Sequence, residues 1–69
     1  MKFATFEEVG GSRIAINPEN VVSVVFAGER FTDINFVGGG SIRVAVSFAD
    51  TVSLLEACGL EGRQDAHRT

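Results

Sequence analysis

The sequence predicts a mainly β domain of the α+β class, a five-stranded antiparallel meander followed by one C-terminal helix. Three observations lead to this fold. Apolar and polar residues alternate with a period of two over most of the chain, which is typical of strands with one buried face. Turn-forming residues recur roughly every ten positions, as successive antiparallel strands require. After Ser47 the apolar residues recur at helical spacing instead.

The predicted strands are separated by residues that favour turns. The strands cover residues 2–9, 13–16, 21–27, 31–37 and 41–47. Gly10-Gly11 suits a two-residue hairpin turn, because glycine readily adopts positive φ. Pro18 breaks the ladder, since it has no backbone N–H to donate and keeps Asn17 extended. A polar turn at 28–30 and three glycines at 38–40 supply the remaining turns.

The C-terminal helix is predicted from its first residues and from its apolar spacing. Ser47 and Asp50 stand in the order of a capping box, which satisfies free N–H groups at a helix start. Gly59 is a typical helix end. The predicted domain therefore covers residues 1–59, and a flexible polar tail covers residues 60–69. The apolar residues that define one face of the helix are Phe48, Val52 and Leu55.

The alternation assigns the apolar strand residues to two faces of the sheet. One face is predicted to pack beneath the helix and carries Ile14, Ile16, Val22, Val24, Phe26, Ile34, Phe36, Ile42, Val44 and Val46. The other face carries Val21, Val25, Phe31 and Val37. Four large apolar residues exposed together usually mark an interaction surface, so we expect an oligomer interface there. A small closed β-barrel, which would bury these four residues, is the alternative fold.

Composition favours the interface. The chain has 69 residues, of which 45% are apolar and six are Phe. A domain of this size buries only about 60% of its unfolded surface, so it has little interior for so many apolar side chains. We therefore expect a homodimer or a higher homo-oligomer.

Charge and targeting signals narrow the class of protein. The net charge is −3 and the six Lys and Arg residues are scattered, whereas nucleic-acid binding draws on clustered cations. No apolar run approaches the roughly 20 residues that span a bilayer, and the N-terminus does not resemble a signal peptide. Cys58 is the single cysteine, which suits a reducing compartment. We expect a cytoplasmic protein with neither a membrane nor a nucleic acid as partner.

No combination of residues predicts catalysis, a metal site or a cofactor. The glycines at 38–40 lack the Lys and the following helix of a phosphate loop. Cys58 and His67 are too few for a zinc site, which needs about four ligands. Glu7 and Glu8 are adjacent in a strand and so point to opposite faces.

Four polar residues form the candidate ligand site that competes with the interface hypothesis. Asp33, Asn35 and Arg43 lie on the outer face if the strands on either side of the triple glycine pair with each other. Arg30, in the preceding turn, is the fourth candidate. Such a site would lie at a subunit junction. The alternative is ordinary cross-strand pairing, worth under about 1 kcal/mol.

A family resemblance spans residues 16–52. Its pattern is an Asn17-Pro18 step, a valine-rich strand at 21–25, alternation at Thr32, Ile34 and Phe36, glycines, and Val44, Val46, Ser47 and Phe48 before a helix. This resembles small flagellar and swarming-motility proteins of the FlbD/SwrD type, which implies a hairpin, a terminal helix and a role in motility. The chain departs from that family in its triple glycine, its extra polar tail and its lack of the family's usual basic and Asn-rich positions. Its last strands and helix also resemble a reduced bacterial pleckstrin-like domain.

Together these observations predict a non-enzymatic, homo-oligomeric adaptor or regulator that acts by protein–protein interaction. The alternative is a small-ligand-binding protein with its site at a subunit junction.

Overall fold

The structure is a computed structural model that describes residues 2–62, and the side chains of residues 2–58. In chain order its elements are β1 (Ala4–Glu7), β2 (Arg13–Ile16), a 3₁₀ turn (Pro18–Asn20), β3 (Val21–Gly28), β4 (Phe31–Phe36), β5 (Ser41–Val44) and α1 (Phe48–Gly62). The strands pair antiparallel throughout. The mainly β fold with one C-terminal helix is confirmed.

The strands form two sheets, which the prediction of one meander did not distinguish. β1 pairs with β2, while β3, β4 and β5 form a three-stranded sheet in that order. The 3₁₀ turn separates the sheets, because its hydrogen bonds are local. Asn17 Oδ1 accepts the Glu19 N–H at 3.0 Å, and the Asn17 carbonyl accepts the Asn20 N–H at 2.9 Å. The described strands do not close into a barrel.

A short seam joins the two sheets, and we define it as residues 7–9 against residues 43–45. Glu8 and Val44 form an antiparallel bridge. On either side of it, the Ala45 N–H donates to the Glu7 carbonyl at 2.8 Å and the Val9 N–H donates to the Arg43 carbonyl at 3.1 Å. The first strand of the chain therefore lies beside the last.

Two of the three hairpins, β1–β2 and β4–β5, close through three-residue loops, while β3 turns into β4 at residues 29–30. Glu8 exchanges backbone hydrogen bonds with Gly11 and Ser12, each 2.8 Å long, and the loop at residues 37–39 closes in the same way. Gly11 has a φ of +97°, a conformation that glycine adopts without steric cost. The first loop is thus one residue longer than the predicted Gly10-Gly11 turn.

The buried core draws on both sheets. Its apolar members are Ala4, Phe6, Ile16, Ile34 and Val44. Around them pack the partly buried Ile14, Val21, Val24, Phe36, Ile42, Val46, Leu55 and Cys58. Most of the inward-facing residues predicted from the alternation are therefore confirmed. Ala4 and Phe6 were not predicted, although their alternation with Thr5 and Glu7 is a signal of the same kind.

The helix begins where the sequence predicts and ends later. The Asp50 N–H donates to Ser47 Oγ at 3.2 Å and the Thr51 N–H donates to the Ser47 carbonyl at 2.9 Å, so Ser47 is the N-cap. The helix continues past Gly59 to Gly62, because an interior glycine costs a helix only about 1 kcal/mol. Residues 63–69 of the predicted tail lie outside the described residues. In the described part of the chain, no helix is both long and apolar enough to cross a bilayer.

A buried side chain fixes the path from β5 into α1. Thr32 is fully buried, and its Oγ1 donates to the Val46 carbonyl at 2.8 Å. This bond holds the segment before the helix against the inner face of β4. The helix then packs along β3, the 3₁₀ turn and β1.

Candidate interaction surface

β3 is the longest strand, and it lies at an edge of its sheet. Its eight residues include no charged side chain. In the described part of the chain it pairs with one neighbour, β4. Natural edge strands are usually short, charged or covered, because an unpaired edge is a template for another strand. β3 is neither short nor charged.

The direction of the hydrogen bonds shows which groups of β3 face outward. The Phe36 N–H donates to Gly40, toward β5, and the Val37 N–H donates to Asn20, toward the β3 side. Because backbone groups alternate along a strand, the odd-numbered residues of β4 bond to β3. Their register partners include Ser23 and Val25. The N–H and C=O groups of the neighbouring residues, Val24 and Phe26, therefore point away from β4.

A bulge at Val22 reverses two of the predicted orientations. Val21 pairs with Phe36 and Ser23 pairs with Asn35, so Val22 is an extra residue in β3. A bulge shifts the side-chain alternation by one. Val21 therefore packs against the core instead of lying on the predicted interface face, and Val22 is 65% exposed instead of buried. Both corrections have this one cause.

Phe26 has the predicted orientation but not the predicted burial. It pairs with buried Thr32 and so lies on the inner face, yet it is 63% exposed. Its ring contacts Phe48 at the start of α1, with centroids 6.5 Å apart and planes tilted by 58°. The helix therefore covers only part of the Phe26 ring. Together with Val22 and Val25, which is 48% exposed, Phe26 makes β3 an apolar edge; we call these three residues the β3 edge surface.

The outer face of the sheet carries two polar cross-strand pairs. Arg43 binds Asp33 with two hydrogen bonds, Nε to Oδ1 at 2.7 Å and Nη2 to Oδ2 at 3.1 Å. Asn35 Nδ2 donates to Ser23 Oγ at 3.1 Å. Three of the four predicted ligand-site residues thus lie together, as expected from pairing of β4 with β5. In the structure Asp33 and Arg43 bond to each other, and Asn35 bonds to Ser23.

The ion pair stabilises the charged forms of both groups. The hydrogen bonds from Arg43 hold the pKa of the Asp33 carboxyl below its ordinary value, and the same bonds raise the pKa of Arg43. Both side chains are partly exposed. The pair therefore behaves as a solvated cross-strand bridge, which supports the structural interpretation over ligand binding.

The other predicted site residues lie around the Asp33–Arg43 and Asn35–Ser23 pairs. Arg30 is exposed in the turn between β3 and β4, and its binding role stays a prediction. Phe31 lies on the outer face at one end of β4 and Val37 follows the other end, 68% exposed. The predicted interface residues Val25, Phe31 and Val37 are thus exposed, but Asp33 and Arg43 lie between them on the outer face.

Two other candidate groups have structural surroundings. Cys58 is partly buried against the core, and its Sγ lies 3.8 Å from the Phe3 carbonyl, a weak hydrogen bond. Among the described residues, no group of three or more His, Cys, Asp or Glu side chains is arranged to hold a metal ion. His67 lies outside the described residues.

The free edge of β3 is the candidate functional feature that could not be predicted from the sequence. The uncharged run of this strand was visible in the sequence, but its place at a sheet edge depends on the strand order.

Comparison with known proteins finds no relative: no family model matches the chain, and neither a curated protein nor a solved structure is significantly similar to it.

Proposed function

We propose that the protein is a non-enzymatic, homo-oligomeric adaptor or regulator that acts by protein–protein interaction. The observation that carries this proposal is the β3 edge surface, where Val22, Val25 and Phe26 are about half to two-thirds exposed on an uncharged strand. Within the described residues, the edge of this strand away from β4 has no partner strand. Such an edge favours association, because a partner both covers the side chains and satisfies the backbone.

The free energy available is sufficient for a dimer. Fully burying a large apolar side chain contributes about 1.5–3 kcal/mol. A two-fold interface contains each residue twice. Because these side chains are already partly covered, each gains about half of that value, so six of them gain about 5–9 kcal/mol. This gain exceeds the lower part of the estimated 4–15 kcal/mol cost of association. The net charge of −3 per copy opposes association weakly at physiological salt, where the screening length is about 8 Å.

The proposal places the protein in the cytoplasm. The sequence has a single cysteine, and its thiol packs partly buried against the core. This arrangement supports a reducing compartment, where structural disulfides are rare.

The resemblance of residues 16–52 to the FlbD/SwrD proteins supports the same class of function. An adaptor in motility would act by binding other proteins, and it would need no catalytic group. We propose motility as the process to test first, by deleting the gene and measuring swimming and swarming. Unchanged motility would contradict this part of the proposal and leave the self-association untouched.

Light scattering tests the self-association directly. We expect the full chain to have a mass of at least twice 7.3 kDa at high micromolar concentration. Val25→Asp should reduce the mass to that of one chain, because the interface would bury a carboxylate without a partner.

Val9→Asp is the matched control. Val9 is 52% exposed but lies in the loop of the first hairpin, away from β3. This variant should keep the wild-type mass. A wild-type protein that is monomeric under these conditions would contradict the proposal.

A further inference from the structure

We propose that two copies of the chain pair through their β3 strands, antiparallel about a two-fold axis at Val25, so that the two three-stranded sheets form one continuous sheet. This inference rests on the proposed self-association and specifies its geometry. The partner at the free edge of β3 is the same strand of a second copy.

The register follows from the backbone groups that are free. Val24 and Phe26 direct their backbone N–H and C=O groups away from β4. An antiparallel partner strand must offer groups at the same two-residue spacing. When Val24 of one copy pairs with Phe26 of the other, both residues in each copy are satisfied, and Val25 faces its own symmetry mate.

The two bulges in β3 restrict regular pairing to the segment around Val25. The register of β3 against β4 is interrupted at Val22 and again at Ala27. Only residues 23–26 between them form a regular edge. The two-fold axis at Val25 places the paired residues 24–26 inside this regular stretch and leaves both bulges at the ends of the contact.

The side chains of β3 complement one another across the axis. The large Phe26 ring lies opposite the smaller Val24 of the second copy, so a larger side chain meets a smaller one on each side of the axis. The exposed Phe26 ring, which Phe48 covers on one side only, gains a neighbour along the inner face.

Charge does not oppose pairing of two copies at this edge. The chain carries a net charge of −3, so two copies repel each other wherever their carboxylates approach. β3 has no charged residue between Val21 and Gly28. The two copies therefore meet along a segment where neither adds a charge.

Cysteine cross-linking tests the register. The test uses the full chain with Cys58→Ser, which removes the native thiol, and adds Val25→Cys. In the two-fold pair the Cα atoms of position 25 in the two copies face each other at about 4.5 Å, within the range that a disulfide spans. Mild oxidation should convert most of this protein to a covalent dimer of twice 7.3 kDa.

Ser23→Cys in the same background is the matched control. The introduced thiol lies on the same outer face, two positions along β3. In the proposed register the Cα atoms of position 23 in the two copies are about 13 Å apart, four residues of strand rise, which exceeds the reach of a disulfide. We therefore expect little cross-linking. Equal cross-linking at both positions would overturn the register.

Hydrogen exchange of the wild-type chain provides a second test that needs no substitution. In the paired strands the Val24 and Phe26 amides become hydrogen-bonded. Their exchange should slow about tenfold or more between dilute and concentrated protein. Two copies stacked by their outer faces would leave these two amides unprotected.

The outcomes separate this inference from the proposed function. A dimer by light scattering whose Val24 and Phe26 amides exchange freely would overturn the edge pairing and leave self-association intact. A dimer with slow exchange that cross-links through the Val25→Cys variant alone supports both. A monomer at high micromolar concentration would overturn both.

Discussion

Gly28, at the end of β3, occupies a backbone conformation that other residues rarely adopt. Its φ is +145°, and a Cβ atom added there would lie 3.3 Å from Cδ2 of Phe31. Gly28→Ala should therefore lower the free energy of unfolding by about 1 kcal/mol or more. Urea denaturation followed by circular dichroism measures this change.

Gly40→Ala is the control for Gly28. Gly40 has no positive φ, and no atom lies within 4 Å of a Cβ added there. The same substitution should leave the stability within about 0.5 kcal/mol of wild type. If the two variants lose the same stability, the φ of Gly28 is not the cause.

The Asp33–Arg43 pair predicts a defined pH dependence. Because the pKa of Asp33 is lower in the folded state, the pair stabilises the fold above the unfolded pKa of about 3.9. That contribution is lost as the pH falls through the lower folded pKa. Asp33→Asn should remove it, so the stability difference between wild type and variant should shrink as the pH drops below about 4.

The control for Asp33 is a double-mutant cycle. Arg43→Gln should remove the same contribution. Because the two residues interact, the double variant should lose less stability than the sum of the losses in the two single variants. Urea midpoints between neutral and acidic pH give the comparison. A difference that does not change with pH would show that the ion pair adds no stability.

At the scale of single residues, the sequence correctly predicts on which face of the sheet a side chain lies wherever apolar and polar residues alternate without a break. Thr32, Ile34 and Phe36 share the inner face, as the sequence predicted. The assignment failed at Val21 and Val22, because a bulge belongs to a pair of strands. Whether a residue is extra depends on which partner residues lie opposite, and the sequence of one strand does not contain that information.

At the scale of elements, the start of α1 depends on one hydroxyl group. Ser47 Oγ accepts the Asp50 N–H, which would otherwise lack a partner. Ser47→Ala should cost about 1 kcal/mol. In a domain of this size that corresponds to a fall of about 4–8 °C in Tm, which calorimetry measures.

Ser53→Ala makes the same chemical change within the exposed part of the helix. Alanine has the higher helix propensity, so this variant should be as stable as wild type or slightly more stable. A Ser47→Ala variant that behaves like Ser53→Ala would show that the hydroxyl group contributes nothing.

Starts of elements were easier to predict than ends. Caps and turns are local chemistry, so Ser47 and the Asn17-Pro18 step were readable from the sequence. The helix passes Gly59, and β5 starts at Ser41 as predicted but ends at Val44 rather than at residue 47. A strand ends where its partner strand ends. A helix ends where its packing no longer offsets the low helix propensity of a residue such as glycine.

At the scale of the whole molecule, one core serves both sheets. Phe6 of β1 is 2% exposed and packs in the same cluster as Ile34 of β4. Phe6→Leu should cost about 1–2 kcal/mol, because the smaller side chain leaves part of its space unfilled. Hydrogen exchange should show the same loss of protection in both sheets, since they unfold as one unit.

Phe3→Leu is the matched control. Phe3 is 54% exposed, so the same change removes little buried area and should alter stability by less than about 0.5 kcal/mol. Loss of protection confined to β1 and β2 in Phe6→Leu would show instead that the sheets unfold separately.

The strand order was the least predictable feature. Turn residues predicted correctly that neighbours in sequence pair within each hairpin. They carry no signal that residues 7–9 lie beside residues 43–45, because such a contact is decided by how the two sheets pack against each other. For the same reason the place of β3 at an edge, and with it the candidate interaction surface, was not readable from the sequence.

The seam also sets the order of events in folding. Each hairpin closes through a short loop and forms on the scale of about 1–10 μs. The seam must first bring together segments from the two ends of the domain, which costs the entropy of closing the intervening chain. We therefore expect the seam to form after the hairpins, and we expect substitutions that weaken it to speed unfolding more than they slow folding. A newly made chain keeps β1 without its second neighbour until β5 has left the ribosome.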